Sequence, residues 1–414
     1  MPKTMLILLF SLSFLLNGSV LFVVNSGSET LSRIDLETGT VNNAFAVLGD
    51  MPNRLACNTQ YIYIVNSGDN SVQKIDITTG ATLTDIYLGT TVSPYDLIID
   101  QDFLYVSGGL SSQVYKIDLA TDTVIDQVAV GCNPAGMAIA ANKLYVGNTA
   151  YMENYSNCSV SVIDLDSFEV LSTIPSNANP QYLLATGNQI HVSCTGNYMT
   201  IQGSIQIIAT GSDVIYHTIE MGGWCGDLAI TPAGIVYVAD IGNDNVYAYD
   251  ASNWELLYSP YNPFITGGYF VETDETNLVF LGGGWGQAGT VSRYDLEETF
   301  LEDYQVGLSA TDIKFQPEAS PVADNEIITI PSLQAYPNPF SDTINFRLNG
   351  SRSWIQNICI YDVKGRLIKK ISDPQNAMWN GTDQANNSIP SGFYITRILT
   401  SDNILHSGSI IKLK

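Results

Sequence analysis

From residue 20 onward, short apolar runs alternate with clusters of Gly, Asn, Asp, Thr and Pro, and two of these runs return about every forty residues. The first appears as Leu21-Phe-Val-Val-Asn25, Ile62-Tyr-Ile-Val-Asn66, Leu104-Tyr-Val-Ser107 and Leu144-Tyr-Val-Gly-Asn148, then as Ile190-His-Val-Ser193, Val236-Tyr-Val-Ala239 and Leu278-Val-Phe-Leu281. The second appears as Leu31-Ser-Arg-Ile-Asp35, Val72-Gln-Lys-Ile-Asp76, Val114-Tyr-Lys-Ile-Asp118, Val160-Ser-Val-Ile-Asp164, Val246-Tyr-Ala-Tyr-Asp250 and Val291-Ser-Arg-Tyr-Asp295. Ile205-Gln-Ile-Ile208, with Ala209 in place of Asp, is its degenerate copy. Four short runs per repeat, bounded by turn residues, predict a four-stranded antiparallel sheet. The run after each turn, such as Pro94-Tyr-Asp-Leu-Ile-Ile99, is apolar on consecutive residues, so both its faces are covered.

Sheets covered on both faces and repeated at this spacing are propeller blades packed between neighbours. The first copy opens on Leu21–Val24, a second strand with no innermost strand before it. The last ends on Thr311–Phe315, an innermost strand with nothing after it. Pairing the two completes a seventh blade from both chain ends and removes an open edge. The expected fold is all-β: a seven-bladed β-propeller over residues 20–317, with N- and C-terminal closure of one blade. Tyr105-Val106, Val160-Ser-Val-Ile-Asp164 and Gly131-Cys-Asn-Pro134 carry a resemblance to the YVTN-type, YncE-like repeat family. The resemblance implies the propeller and is silent on activity, because one fold hosts many functions.

Charge divides the chain. Residues 1–332 hold 8 Lys/Arg against 36 Asp/Glu, and residues 333–414 hold 9 against 5. The acidic part would be repelled by phosphate backbones and anionic lipid, which excludes nucleic acid as the expected partner. Pro317–Ser332 has the composition of a linker, taken as residues 318–332. At the other end, Lys3, the apolar Met5–Leu16 and Asn17-Gly-Ser19 read as a signal peptide over residues 1–19. Its apolar segment is shorter than the roughly 20 residues a membrane span needs, and no transmembrane candidate follows.

Residues 333–414 read as a small immunoglobulin-like β-sandwich, from alternating runs at Ile344–Leu348, Ile355–Tyr361, Leu367–Ile371, Phe393–Leu399 and Ile404–Leu413. Pro337 and Pro339 are expected to hold an extended strand, and Gly365 and Gly392 to supply positive-φ turns. Tyr336-Pro337-Asn338-Pro339-Phe340, Ile360-Tyr-Asp-Val-Lys-Gly-Arg366, Trp379-Asn-Gly381 and Ser391-Gly-Phe-Tyr394 resemble, in order, the type A C-terminal sorting domain of the type IX secretion system. A flagellar hook-capping immunoglobulin-like module shares two of these motifs. The resemblance implies the secretion machinery as a partner, removal of the tail, and a secreted or outer-membrane surface location in a Gram-negative bacterium.

Chemistry is sparse. The repeated Asp each precede a turn and are expected to accept its N–H groups. Gly284-Trp-Gly-Gln-Ala-Gly289 fits a dinucleotide string but joins two expected strands, so it reads as a hairpin loop. His191, His217 and His406 lack metal-ligand spacing, and Asp240, Asn243, Asp244 and Asn245 lack calcium-loop spacing. No cofactor is expected, and a structural Ca²⁺ is left open. Loops from second to third strand, and from each repeat into the next, share one face. Three are long, 148–159, 194–203 and 282–289, and place Tyr151, Tyr155, Tyr198 and Trp285 there, with Trp224 beside them. These aromatics form either a recognition surface or a cover for the core. Arg54, Asp96, Asp227 and Asp312, just ahead of the innermost strands, are expected to rim the channel and to face a cation, a polar ligand or water.

Cysteine location on that face suggests two disulfides, Cys132–Cys158 and Cys194–Cys225, with Cys57 and Cys359 as buried apolar residues. The preferred expectation is a non-catalytic binding module for a protein, glycan or small molecule. A metal-dependent lactonase- or lyase-like enzyme, with Asp96, Asp227 and Asp312 around the metal, and a structural surface or adhesion component are the alternatives.

Overall fold

A computed structural model describes residues 19–317, 332–349, 355–362, 364, 366–372, 378–400 and 405–413. The signal segment through residue 18, the linker at 318–331 and Gly365 lie outside the described residues. The chain separates into two compact units, Met1–Ala319 and Ser320–Lys414.

The first unit is built from antiparallel sheets. Pro52–Cys57, Tyr61–Asn66, Ser71–Asp76 and Thr82–Tyr87 pair in chain order. The same order recurs in sheets beginning with Pro94–Asp100, Pro134–Ala140, Pro180–Thr186, Cys225–Ile230 and Phe270–Thr273. Within the Cys225 sheet, the short strand Ile265–Thr266 also pairs with the third strand, Asn245–Asp250. The remaining sheet joins the two ends of the unit in the order Ala310–Phe315, Val20–Asn25, Thr30–Asp35, Thr40–Val47. Leu21 lies opposite Phe315 and Val23 opposite Ile313, so the pairing anticipated from the repeat phase is present. The innermost strands touch one another in chain order, and Ala310–Phe315 returns to touch Pro52–Cys57. The architecture is all-β and propeller-like.

Second strands are the most deeply buried, and Val20–Asn25 is buried along its whole length. Their apolar side chains meet those of the neighbouring sheet: Phe22 and Leu31 share a cluster with Leu55, Ile62 and Ile75. Outer strands such as Thr123–Ala129 are mostly exposed. The lead-in Gly-x-x-Pro has a steric origin. The Asn66 amide bonds Gln73 on the next strand, and the Asn148 amide bonds Ser161. A Cβ on Gly49 would come within 2.6 Å of the Asn66 amide nitrogen, and one on Gly131 within 2.6 Å of the Asn148 side chain. Only glycine fits where the incoming loop crosses that asparagine.

The repeated aspartates organise turns. Thr38, Thr79, Thr121 and Ser167 donate backbone N–H groups to Asp35, Asp76, Asp118 and Asp164 at 2.7–2.9 Å.

The second unit holds a sheet of Ser332–Tyr336, Ile344–Asn349 and Met378–Trp379, and a sheet of Leu367–Ser372, Ile355–Asp362, Gly392–Thr400 and Leu405–Lys412. Phe340, Ile344, Ile358, Trp379, Tyr394 and Ile410 share its core. The extended strand expected through Pro337 and Pro339 stops at Tyr336, and a bend follows. That bend lets Phe340 bury against Trp379, at 5.5 Å between ring centroids, and donate its backbone N–H to the Ile411 carbonyl. Asn338 accepts the Ile411 N–H at 2.9 Å. The motif thus ties the start of this unit to its last strand. Gly392, at φ 157°, opens the strand Gly392–Thr400.

Candidate functional site

The innermost strands carry one equivalent position each at the channel wall. Leu55, Leu97, Met137, Leu183, Leu228, Val271 and Ile313 all pair with the same register of their second strands. The residues just before them are Arg54, Asp96, Gly136, Tyr182, Asp227, Phe270 and Asp312. The four charged residues lie within the strands rather than ahead of them, and all four line a cavity of about 570 Å³.

Arg54 is buried and holds this level together. Its guanidinium donates to Asp312 at 3.3 Å and lies 4.7 Å from the Tyr182 ring, 4.8 Å from Phe270 and 5.8 Å from Tyr95. Burial opposes its charge, while Tyr182 and Asp312 hold it above its usual value. The carboxylates also tie strands together. Asp312 accepts the Leu55 N–H at 2.8 Å, Asp96 the Met137 N–H at 2.9 Å, and Asp227 the Val271 N–H at 3.2 Å. Two residues beyond Asp312 on the same strand, Lys314 also lines the cavity and pairs with Glu272. Among the described residues, no group of His, Cys, Asp and Glu is arranged to hold a metal. Asp96, Asp227 and Asp312 do not form such a group, and each accepts a backbone N–H from a different strand.

Burial pushes the Asp96 carboxyl up to about 6 against the pull of Arg54, and pushes Asp227 up to about 6 against Lys314 and Arg54. The folded protein therefore takes up these two protons at higher pH than the unfolded chain does. The contribution of the two carboxyls to stability grows as pH falls from about 7.5 towards 5, while buried His191, pushed down to about 4, opposes it once the unfolded imidazole protonates below about 6.5. Below about pH 4 stability falls, because backbone N–H groups hold Asp35, Asp118 and Asp164 below their usual value, and the Thr79 and Ser252 hydroxyls, ahead of backbone N–H groups, do so at Asp76 and Asp250. Calorimetric midpoints across this range read the balance of these groups. Asp96→Asn with Asp227→Asn should lower the midpoint at pH 5 relative to that at pH 7.5, and an unchanged difference between the two pH values would remove both carboxyls from the balance.

On the loop face the structure brings four of the five proposed aromatics together. Tyr151 and Tyr155 are 5.9 Å apart, Tyr155 and Tyr198 6.3 Å, and Tyr198 and Trp224 5.7 Å, all edge to face. Tyr155 and Tyr198 have φ of 60° and 58°, a left-handed backbone that is costly for bulky residues. Trp224 lies flat on Gly242, where a Cβ would sit 1.5 Å from the indole. The Trp224 backbone N–H donates to buried Asp240 at 3.2 Å, and Asp240 also accepts the backbone N–H groups of Gly242 and Asn243. The Tyr198 hydroxyl donates to Gln181, and the Gln181 amide donates to Tyr95 at 2.9 Å, linking the run to the rings around Arg54. Trp285, 80% exposed on the loop at 283–287, is outside the run.

Sequence reading missed Tyr95, Gln181, Tyr182 and Phe270. Aligning the prolines that open the innermost strands, Pro52, Pro94, Pro134 and Pro180, would have put Tyr182 level with Arg54 and Asp96.

The disulfide expectation is overturned. All six cysteines are free thiols. Cys132 donates to the Asn133 side chain, Cys158 to the Thr149 carbonyl, Cys194 to Gln206 and Cys225 to the Gly222 carbonyl. Sharing a face did not bring any pair to bonding geometry. Cys57 and Cys359 are half-buried rather than buried. His191 is buried, its Nδ1 2.5 Å from the Tyr249 hydroxyl, and burial pushes its pKa down to about 4.

Residues 334–412 match the secretion system C-terminal sorting domain. This tail marks the protein as one delivered by the type IX system, secreted or attached to the cell surface in Bacteroidetes, and implies contact with that machinery. Among the described residues, no helix is long and apolar enough to cross a membrane. No curated protein matches the chain. Among solved structures, hydrazine synthase of Kuenenia stuttgartiensis is similar at 16% identity and TM-score 0.54, covering 65% of this chain and 96% of that one. A protein of unknown function from Desulfotomaculum acetoxidans is similar at 15% identity and TM-score 0.57, covering 73% of this chain and all of that one. At these identities the likeness concerns the fold alone.

Proposed function

We propose that the chain is a type IX cargo whose seven-bladed, YVTN-like propeller works at the cell surface as a non-catalytic binding module, exported first by a cleaved signal at residues 1–19. The observation that carries the binding reading is the run Tyr151, Tyr155, Tyr198 and Trp224, placed on long loops over a rigid ring of sheets. Preorganised aromatics on such loops supply contact area at low ordering cost, as interface anchors do. The ring of touching innermost strands and the shared closing sheet support the seven-bladed count.

Array screening against glycans and proteins tests the reading. A hit should fall at least about tenfold on Trp224→Ala and on Tyr198→Ala, as truncating interface anchors does. Binding that survives both changes puts the active surface elsewhere. Export has its own expected result: a chain lacking residues 333–414 stays in the periplasm while the full chain reaches the surface. Equal surface exposure of the two would separate this tail from delivery.

A further inference from the structure

The loop face has an unusual charge composition. Its two sets of loops bond each other around the ring: Ser67 donates to the Met51 carbonyl, Thr149 to Asn133, Thr195 to Asn179 and Ile241 to Trp224. These loops carry Glu29, Asp50, Asp69, Glu153, Glu220 and Asp244, and no Lys, Arg or His. None of those six acids forms an ion pair among the described residues. The unit's described Lys and Arg residues sit elsewhere. Arg54 and Lys314 line the channel, and Arg33 is within the strand Thr30–Asp35. Lys74 and Lys143 pair with Asp122 and Asp213, and Lys116 and Arg293 donate to the Leu165 and Leu36 carbonyls. Those partners all belong to third-to-fourth-strand turns, at the opposite end of the sheets.

We propose that the loop face docks a basic, extended polypeptide segment across Tyr151, Tyr155, Tyr198 and Trp224. This rests on the binding-module reading and names its partner class. Guanidinium and ammonium groups are drawn to aromatic faces, and their methylene stems cover the rings. The unpaired acids supply the attraction that steers such a segment from a distance. Phosphate-bearing and carboxylate-bearing chains meet repulsion here instead. Successive ring separations of 5.9, 6.3 and 5.7 Å make a strip that accommodates at most about five residues of extended chain at about 3.3 Å each.

The test uses the purified chain and fluorescein-labelled octapeptides: one alternating Lys and Arg with Ser, one of Ser and Gly, one alternating Glu with Ser. Anisotropy at about 25 mM and about 250 mM salt separates screened from unscreened attraction. The basic peptide should bind most tightly and weaken about tenfold or more at high salt. Trp224→Ala and Tyr198→Ala should each cost about tenfold. Glu153→Gln with Glu220→Gln should slow association several-fold, whereas Asp85→Asn with Asp303→Asn, on outer strands, should not. Equal loss from the outer-strand pair would mean diffuse attraction to an acidic protein and overturns the proposal. So would tighter, salt-insensitive binding of a neutral oligosaccharide that still needs Trp224, an outcome that leaves the binding-module reading standing. If neither peptides nor array hits respond to Trp224→Ala, this proposal fails and the active surface lies away from the loop aromatics.

Discussion

Deleting Ser19–Asn25 will leave a chain that no longer folds as a discrete closed unit. Those residues supply the second strand of the closing sheet, bonded to Thr30–Asp35 on one side and Ala310–Phe315 on the other. Without them both neighbours present unpaired N–H and C=O groups, the template for association with another chain. The loss also empties two cores, because Phe22 and Val24 pack with Leu55 and Ile62, while Leu21 and Val23 pack with Val279 and Ile313. Sedimentation should show polydisperse association, and urea unfolding should lose its cooperative transition. Phe22→Ala separates packing from pairing: the ladder stays intact, and the expected cost is about 3–5 kcal/mol with no change in association. A monodisperse, cooperatively unfolding deletion variant would mean the ring does not depend on closure.

The closure, the turn aspartates and the Gly-x-x-Pro lead-in were legible because each depends on phase within a repeat. Leu21–Val24 reads as a second strand by comparison with its copies, whatever the rest of the chain does. The candidate site was legible in part for the opposite reason, since it is assembled across repeats. Arg54, Asp96, Asp227 and Asp312 stood out as charges inside apolar strands. Tyr182 and Phe270 did not, because an aromatic in such a strand is indistinguishable from core until its partner is known, and that partner is a guanidinium on another blade. The loop aromatics could be placed on one face. Their order of contact depends on the lateral spacing of adjacent blades, and that spacing leaves Trp285 out. The cysteines failed for the same reason at finer scale: a disulfide needs Cβ atoms about 4 Å apart, whereas a shared face guarantees only proximity of loops.

Replacing Arg54 with Met should destabilise the protein by about 3–5 kcal/mol, the usual cost of stripping one partner from a buried ion pair. Both side chains of the pair are almost wholly buried, at 7% and 3% exposed. The Asp312 carboxylate would keep only the Leu55 N–H, with Asp96 and Asp227 lining the same cavity. Met also loses the cation–ring contacts to Tyr182 and Phe270, although its sulfur can partly fill their space. The second change in the cycle, Asp312→Asn, identifies the cause. Alone it removes the charge that Arg54 faces and should also destabilise. Combined with Arg54→Met it leaves a neutral amide that still accepts the Leu55 N–H, so the double variant should be less destabilised than the sum of the singles by at least about 1 kcal/mol. Additive losses would assign the role of Arg54 to its stacking on the rings and not to its charge. Chemical denaturation at pH 7 reads all four corners of the cycle. Repeating it at pH 5, where Asp96 and Asp227 are protonated, should shrink the penalty for losing the cation, since less negative charge then remains in the channel for it to balance.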